Sequence, residues 1–506
     1  MISEQALIPN NICVVCQHTD ISYAFQIKNG TFLQCDNCRI ILSTPKSTSS
    51  PIINFSKNAI DRDPVALAKL VLNTLTERSA KPPYLVLSTS TDTTLVKNFK
   101  KSLPSSTSYL NTLDIFQDKK YSTIIILTPL SMIKDLNIFF HQLKELMTPN
   151  GLLVFIQPML DSSQAKLMKH RWLEWQEPHM FYPTRDTLHI LMLNNGFDRV
   201  WFCKARYPYT LAYIHYRLKN AREGIMPHAL AILCLPFLRK IKFRLPSSHI
   251  VTSCQLASVK TEQTLSIVLP VYNEKNTFED LMKALLAKKI EGVRKQIIIV
   301  ESNSTDGTRD LVKKYAEHPD VHIIWQERAR GKGFAVREGL AAAMGEYVLI
   351  QDADLEYDVN DYEMLLAPLR ANQCMFVLGS RHSGSWKIRE FNDAAATAAV
   401  FNVGHVFFTW FINFLTRQKM ADPFTMFKVL RRDAFFGLRF TCKRFDFDHE
   451  MVIKLIRKGY QPLELPVNYK ARSFAEGKKV SFIKDGLTWV YTDLKLRFGK
   501  LGRWSS

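Results

Sequence analysis

The sequence predicts an α/β chain whose second half is a doubly wound mixed sheet, preceded by a Rossmann-like half and a small ribbon stapled by metal. Three observations predict it. Short β-branched runs alternate with helical periodicity over residues 60–205 and again from Leu265 onward. Two Cys-x-x-Cys pairs, Cys13/Cys16 and Cys35/Cys38, stand near the front. The apolar run Tyr347-Val348-Leu349-Ile350 leads into Asp352-Ala353-Asp354-Leu355-Glu356. A buried strand that delivers two carboxylates past one small residue is suited to holding a divalent cation against a diphosphate.

The 506 residues allow two or three domains, each with its own core. With 46% hydrophobic and 23% charged residues, the composition excludes a disordered chain. The net charge of +20 points to an anionic partner: a phosphate-rich substrate, an anionic membrane or nucleic acid. Met1–Asn11 lacks the basic start and apolar core of a secretory signal. Ala229–Leu238 is too short to span a bilayer, and Val400–Leu415 carries Asn402, His405 and Asn413. A soluble or peripheral protein is expected.

The first region, residues 1–50, is expected to be a zinc ribbon. Each Cys knuckle presents two thiolates at the spacing tetrahedral zinc prefers, so Cys13, Cys16, Cys35 and Cys38 are the expected ligands of a structural Zn²⁺. Gln17 and Arg39 occupy places where glycine often eases such turns. A ribbon this small has almost no core, and the metal would supply much of its folding free energy.

In the second region, residues 60–205, Tyr84–Leu87, Thr123–Leu127 and Leu152–Ile156 read as buried parallel strands. Leu136–Met147 has helical periodicity and Pro149-Asn150-Gly151 stops it. With Glu177-Pro178-His179 and Asn195-Gly196-Phe197 behind them, these elements resemble the rear of a class I S-adenosylmethionine-dependent methyltransferase. The glycine-rich turn such a fold needs after its first strand is replaced by Ser88-Thr89-Ser90-Thr91-Asp92-Thr93-Thr94. β-Branched residues resist positive φ and close approach, which favours a domain that no longer binds S-adenosylmethionine. Residues 206–262, with Tyr207, Tyr209, Tyr213, Tyr216, Ala229–Leu238 and basic Arg239–Arg244, read as a helical linker or a membrane-surface segment.

The third region, residues 263–506, carries the chemistry. Ser266–Val271 reads as a strand ending in a polar loop, Phe278–Ala287 as a helix, and Gln296–Val300 as a strand tipped by Glu301. Asp306 is the expected N-cap of the next helix, followed by strand Val321–Trp325, helix Phe334–Ala343 and the strand feeding Asp352. The ligand of such a sheet lies across its strand C-termini. LPVYNE at 269–274, ESNSTDGT at 301–308, RGKG at 330–333, QDADLE at 351–356 and DPFTMFK at 422–428 stand in this order. On these motifs, residues 265–480 resemble family 2 glycosyltransferases of the GT-A fold, close to polyprenyl-phosphate sugar synthases.

The resemblance implies roles. Pro270, Tyr272 and Glu274 would line the nucleoside pocket, with Glu301 and Asp306 beside it. Ser302 stands where a second acid is usual. Lys332 would face the diphosphate. Asp352, Asp354 and Glu356 would hold Mg²⁺ or Mn²⁺, with Asp354 essential to the reaction. Taken singly, Glu274 and Glu301 read equally well as helix caps, and Lys332 as a solvated side chain.

For an acceptor phosphate, Arg381, Arg389, Arg472 and Lys478 are the expected clamp, and catalysis is positioning plus charge stabilisation. A sugar hydroxyl acceptor would need a base, for which Asp422 is the candidate, with Asp446 and Asp448 behind it. Asp422 reads alternatively as a helix cap or an acceptor-orienting group. The aromatic Val400–Leu415 and basic Lys495–Lys500 suggest an interfacial face on an anionic leaflet.

The expected function is inverting, metal-dependent transfer from a nucleotide-sugar to a polyprenyl phosphate, by a cytoplasmic enzyme peripheral at the inner face of the plasma membrane. The alternative is transfer to a growing glycan, with an active methyltransferase half. A nucleic-acid-binding zinc protein lacks the aromatic–basic interleaving it needs and leaves the ordered acids unexplained.

Overall fold

The computed structural model describes residues 12–16, 18–27, 30–44, 64–88, 94–110, 119–133, 135–169, 172, 174–175, 179–210, 242–258, 262–381, 395–444, 446–470 and 482–499. The chain divides into two compact units, Met1–Ser258 and Val259–Ser506.

The described strands of the first unit are β1 (Ile21–Ile27), β2 (Gly30–Cys35), β3 (Ile41–Thr44), β4 (Tyr84–Leu87), β5 (Ser108–Leu110), β6 (Tyr121–Ile126), β7 (Met147–Pro158), β8 (Phe181–Tyr182), β9 (Phe197–Thr210) and β10 (Lys242–Leu256). A small sheet runs β1-β2-β3-β8. The ribbon is therefore not free-standing, contrary to the expectation that it has almost no core. Phe32 and Ile41 bury themselves with Trp172, Trp175 and Tyr182, and Cys13, Val15, Ile40 and Leu42 share a core with Leu85, Ile124 and Phe155. Asn194 also donates to the Val15 carbonyl at 2.8 Å. Apolar burial therefore shares the work of folding with any metal.

The larger sheet runs β5-β4-β6-β7-β10-β9, with β10 antiparallel to both its neighbours and β4 to β7 parallel. This corrects the reading of residues 206–262. Tyr207, Tyr209 and Lys242–Arg244 belong to a long β9–β10 ladder whose pairs run from Phe197↔Leu256 to Thr210↔Lys242. Tyr213, Tyr216 and Ala229–Leu238 lie outside the described residues. β10 escapes a hydrophobic reading because Thr252 and Ser253 are fully buried in it. Helix Leu136–Leu146 ends before Pro149-Asn150-Gly151, its expected stop, which instead lies inside β7 at a bulge, where Tyr121 pairs with Met147 but Thr123 with Leu152.

The second unit holds β11 (Gln263–Val271), β12 (Val293–Glu301), β13 (Val321–Trp325), β14 (Tyr347–Ile350), β15 (Phe376–Ser380), β16 (Lys428–Arg431) and β17 (Pro462–Pro466). They form one sheet in the order β13-β12-β11-β14-β16-β15-β17. The first four are parallel, β16 is antiparallel to β14 and β15, and β17 runs parallel to β15. Ile267, Val268, Ile298, Ile299, Val348 and Leu349 are fully buried, as strands covered on both faces require. Helix Lys332–Ala342 packs against β11 and β12 through Gly339, where a Cβ would lie 2.3 Å from Val268 Cγ1. That close seat fixes the helix N-terminus beside the tip of β14.

Candidate active site at the strand tips

The parallel strands β11, β12 and β14 bring three loops to one edge. Near the end of β11, Pro270 is half-buried; beyond the strand, Tyr272 is exposed and Asn273 turns the chain with φ 54°. Glu301, the last residue of β12, is completely buried. The two loops are laced together. Asn273 N–H donates to Ser304 Oγ at 3.0 Å and Asn273 Oδ1 accepts from Thr305 N–H at 2.8 Å. Glu274 N–H donates to Thr308 Oγ1 at 3.0 Å, and Lys275 N–H to Asp306 Oδ2 at 3.1 Å. Thr277 Oγ1 donates to the Ala353 carbonyl at 2.6 Å, tying the β11 loop to the acidic turn.

Glu301 organises its own loop. Its carboxylate accepts from Ser304 N–H at 2.7 Å, Asn303 N–H at 3.2 Å and Arg309 at 2.8 Å. Arg309 had no sequence signal, yet it also stacks on Trp325, with its guanidinium 5.0 Å from the ring centroid. Asp306 stands one position before the helix N-cap, which is Gly307 at φ 97°. Its Oδ1 accepts from Thr308 N–H at 2.9 Å and from Thr308 Oγ1 at 2.6 Å. The expected cap is displaced by one residue because only glycine takes that left-handed φ easily.

At the tip of β14, Asp352 and Asp354 are half-buried and flank buried Ala353. Lys332 Nζ lies 2.6 Å from Asp352 Oδ1. Burial works to lower the Lys332 pKa, but Asp352, Asp448 and Asp354 outweigh it and raise it above the usual lysine value. Asp354 Oδ1 accepts from Glu356 N–H at 3.2 Å and closes a turn in which Leu355 has φ 59°. Glu356 is drawn to the other side, accepting from Tyr469 Oη at 2.8 Å. Among the described residues, the three carboxylates do not converge on one point; the one group of three or more metal-capable ligands that does is Cys13, Cys16, Cys35 and Cys38.

In that cysteine group, Cys13 Sγ lies 3.5 Å from Cys38 Sγ, and Cys16 Sγ 3.5 Å from Cys35 Sγ. A tetrahedral zinc–thiolate site has sulfur–sulfur edges of about 3.8 Å. Arg39 takes the expected left-handed turn with φ 63°. The cluster fits a zinc ribbon.

The DPFTMFK segment lies beside β16. Asp422 is fully buried and gripped by Arg381: Nε to Oδ2 at 2.7 Å, Nη2 to Oδ1 at 2.7 Å and the Arg381 N–H to Oδ2 at 3.1 Å. Burial opposes ionisation of Asp422, yet Arg381 outweighs it and holds the carboxyl well below the usual carboxylate range. Glu464 accepts from the Ala421 and Asp422 N–H groups at 2.7 and 2.8 Å. Asp448 pairs with buried Lys428 at 2.8 Å, and Asp446 accepts from Arg444 N–H at 3.0 Å. Thr277, Arg309, Lys428, Glu464 and Tyr469 hold this architecture without having been singled out in the sequence. Arg389, Arg472 and Lys478 lie outside the described residues.

The Glycosyl transferase family 2 profile matches residues 266–436, and a Methyltransferase domain profile matches residues 51–200. Glycosyltransferase AglJ of Haloferax volcanii is 27% identical over 227 residues, covering 45% of this chain and 69% of the relative. The Dolichol-phosphate mannosyltransferase of Pyrococcus furiosus is 24% identical over 234 residues, covering 46% and 64%. Dolichyl-phosphate beta-glucosyltransferase ALG5A of Trichomonas vaginalis is 27% identical over 256 residues, covering 47% and 75%. A solved glucosyl-3-phosphoglycerate synthase from Mycobacterium tuberculosis is 20% identical over 47% of the chain with a TM-score of 0.33, too remote to inform the chemistry. The chain joins a methyltransferase-type domain, matched over residues 51–200, to a family 2 glycosyltransferase domain, matched over residues 266–436, and its activity is that of a glycosyltransferase.

Proposed function

We propose that the enzyme moves a sugar from a nucleotide-sugar to a polyprenyl phosphate, with inversion, at an anionic membrane surface. The observation that carries this reading is the edge where the β11 and β12 loops meet the Asp352-Ala353-Asp354 turn through Thr277. There Pro270, Tyr272 and Glu274 line the nucleoside side, with Glu301 and Asp306 shaping the loop that faces it.

Asp352 and Asp354 suit Mg²⁺ or Mn²⁺, hard cations that take carboxylate and phosphate oxygens. Glu356, engaged by Tyr469, would act behind them rather than as a third ligand. Two carboxylates make an incomplete shell, which a diphosphate would complete. When bound, the cation supplies charge stabilisation to the departing diphosphate.

A phosphate acceptor is ionised and needs no base, which agrees with the Arg381 grip on Asp422. A carboxyl held that far below the usual range is a poor proton acceptor at neutral pH. Asp422 is assigned instead to positioning Arg381. The Asp422 fork uses two side-chain N–H groups of Arg381, and the guanidinium offers five. Arg389, Arg472 and Lys478 complete the proposed clamp. Two similar proteins bear dolichyl-phosphate acceptors in their names.

Two helices support the membrane face. Phe407, Trp410 and Phe414 are exposed along helix Ala395–Thr416, as are Tyr491, Leu494 and Phe498 along helix Phe482–Phe498. Phe408 and Trp489 join the helices on their inner side, with ring centroids 5.3 Å apart. Arg417 and Lys419, just past the first helix, and Lys495, in the second, are exposed too, a composition suited to anionic lipid. Among the described residues, no helix is long and apolar enough to cross a membrane. The proposed location is the cytoplasmic face of the plasma membrane.

The four cysteines are assigned a structural Zn²⁺, and the methyltransferase-type domain a role without S-adenosylmethionine. Cys35→Ser is expected to lose stoichiometric zinc in elemental analysis; an unchanged zinc content would remove the assignment. The function itself is tested by offering a panel of nucleotide-sugars with and without a short-chain polyprenyl phosphate and identifying products by mass. A sugar phosphoryl-lipid product is expected. Transfer only to a free sugar hydroxyl would overturn the acceptor.

A further inference from the structure

Lys332 is the first residue of helix Lys332–Ala342, and its place is enforced by packing. A Cβ on Gly331 would lie 2.5 Å from the Lys443 carbonyl oxygen, and one on Gly333 would lie 2.7 Å from Phe447 Cβ. These glycines therefore serve to press the loop onto the segment before helix Asp446–Lys458, a different use from backbone approach to a ligand. The result is an ammonium lodged 2.6 Å from Asp352 Oδ1, with Asp354 and Asp448 close enough to act on its charge. This ammonium neutralises the carboxylate that a divalent cation would use. Two cations on one carboxylate repel each other, and a diphosphate offers the lysine another anion.

We propose that Lys332 is an internal counter-ion: it occupies Asp352 when the site is free of donor and transfers to the diphosphate when nucleotide and metal enter, so that metal and nucleotide bind as a unit. The inference rests on the nucleotide–metal reading above and adds the coupling between the two. No covalent step is involved. The acidic turn stays neutralised in both states, first by lysine and then by the metal.

The test titrates Mn²⁺ into the intact protein by calorimetry and by electron paramagnetic resonance, alone and with UDP or GDP as probe. Wild type is expected to bind Mn²⁺ at least about tenfold tighter with one of these nucleotides present, within the usual range of coupling between sites. Lys332→Met keeps the length and removes the charge. It is expected to bind Mn²⁺ at least about tenfold tighter than wild type without nucleotide, and to lose most of the coupling.

Far-UV circular dichroism establishes that the variant is folded. Unchanged nucleotide-free Mn²⁺ affinity in the folded variant overturns the proposal alone, and so does equal Mn²⁺ affinity of wild type with and without a nucleotide that binds. Wild type that takes up neither nucleotide at any Mn²⁺ concentration overturns the nucleotide–metal reading and the proposal together.

Discussion

Asp354→Ala is expected to lower sugar transfer by roughly 10²–10³-fold, the scale of losing one preorganised electrostatic group at a reacting centre. Removal of the charge is only part of the change. Asp354 Oδ1 also accepts from Glu356 N–H at 3.2 Å and closes the turn that holds Leu355 at φ 59°. A second variant, Asp354→Asn, keeps an oxygen for that hydrogen bond and removes the charge. If charge is what matters, the two variants lose transfer alike in initial-rate assays, and both keep the wild-type unfolding midpoint within a small shift. If the turn is what matters, Asp354→Asn retains most of the activity.

Asp422→Ala is expected to destabilise the Val259–Ser506 unit by about 3–5 kcal/mol, because it strands the Arg381 charge in the interior. Urea unfolding followed by fluorescence measures it. Replacing both partners with apolar residues is expected to cost less than either single change. The pH dependence has a defined sign. The carboxyl of Asp422 is held below its unfolded value, so its contribution is fully present above about pH 4 and is lost as the pH falls further. Wild type should therefore lose stability between about pH 4 and lower values more steeply than Asp422→Ala, whose curve lacks this group. Equal slopes would place the Asp422–Arg381 pair outside the stability of this unit.

The parts of the fold legible in the sequence share one physical property. Tyr347–Ile350 and helix Phe278–Ala287 are contiguous segments whose own side chains announce their surroundings, by an apolar run or by a 3.6-residue period. What stayed illegible depends on partners far along the chain. Thr252 and Ser253 are buried in β10, which is an inner strand of its sheet between β7 and β9. The ribbon finds its core in Trp172, Trp175 and Tyr182, well over a hundred residues away. Within the candidate site, acidic positions were legible and their partners were not. The motif placed Glu301 beside the nucleoside, whereas its oxygens are engaged by Asn303, Ser304 and Arg309. Asp422 reads in the sequence as a candidate base, a helix cap or an acceptor-orienting group, and its partner Arg381 stands 41 residues away. In Arg330-Gly331-Lys332-Gly333 the lysine was legible, whereas the packing of its flanking glycines depends on Lys443 and Phe447, far along the chain.

In the proposed function, the Asp352–Lys332 pair meets the donor and the Asp422–Arg381 pair meets the acceptor. Both pairs act through charge in that reading, which calls for a divalent cation at the tip of β14 and no proton relay.

The most direct test is the initial rate of sugar transfer from the matched donor, measured after chelation with EDTA and again after Mn²⁺ or Mg²⁺ is restored. Transfer is expected to fall to background under chelation and to return with the added cation, while Asp354→Ala stays at least about 10²-fold below wild type throughout. Undiminished transfer in the presence of excess chelator would contradict it.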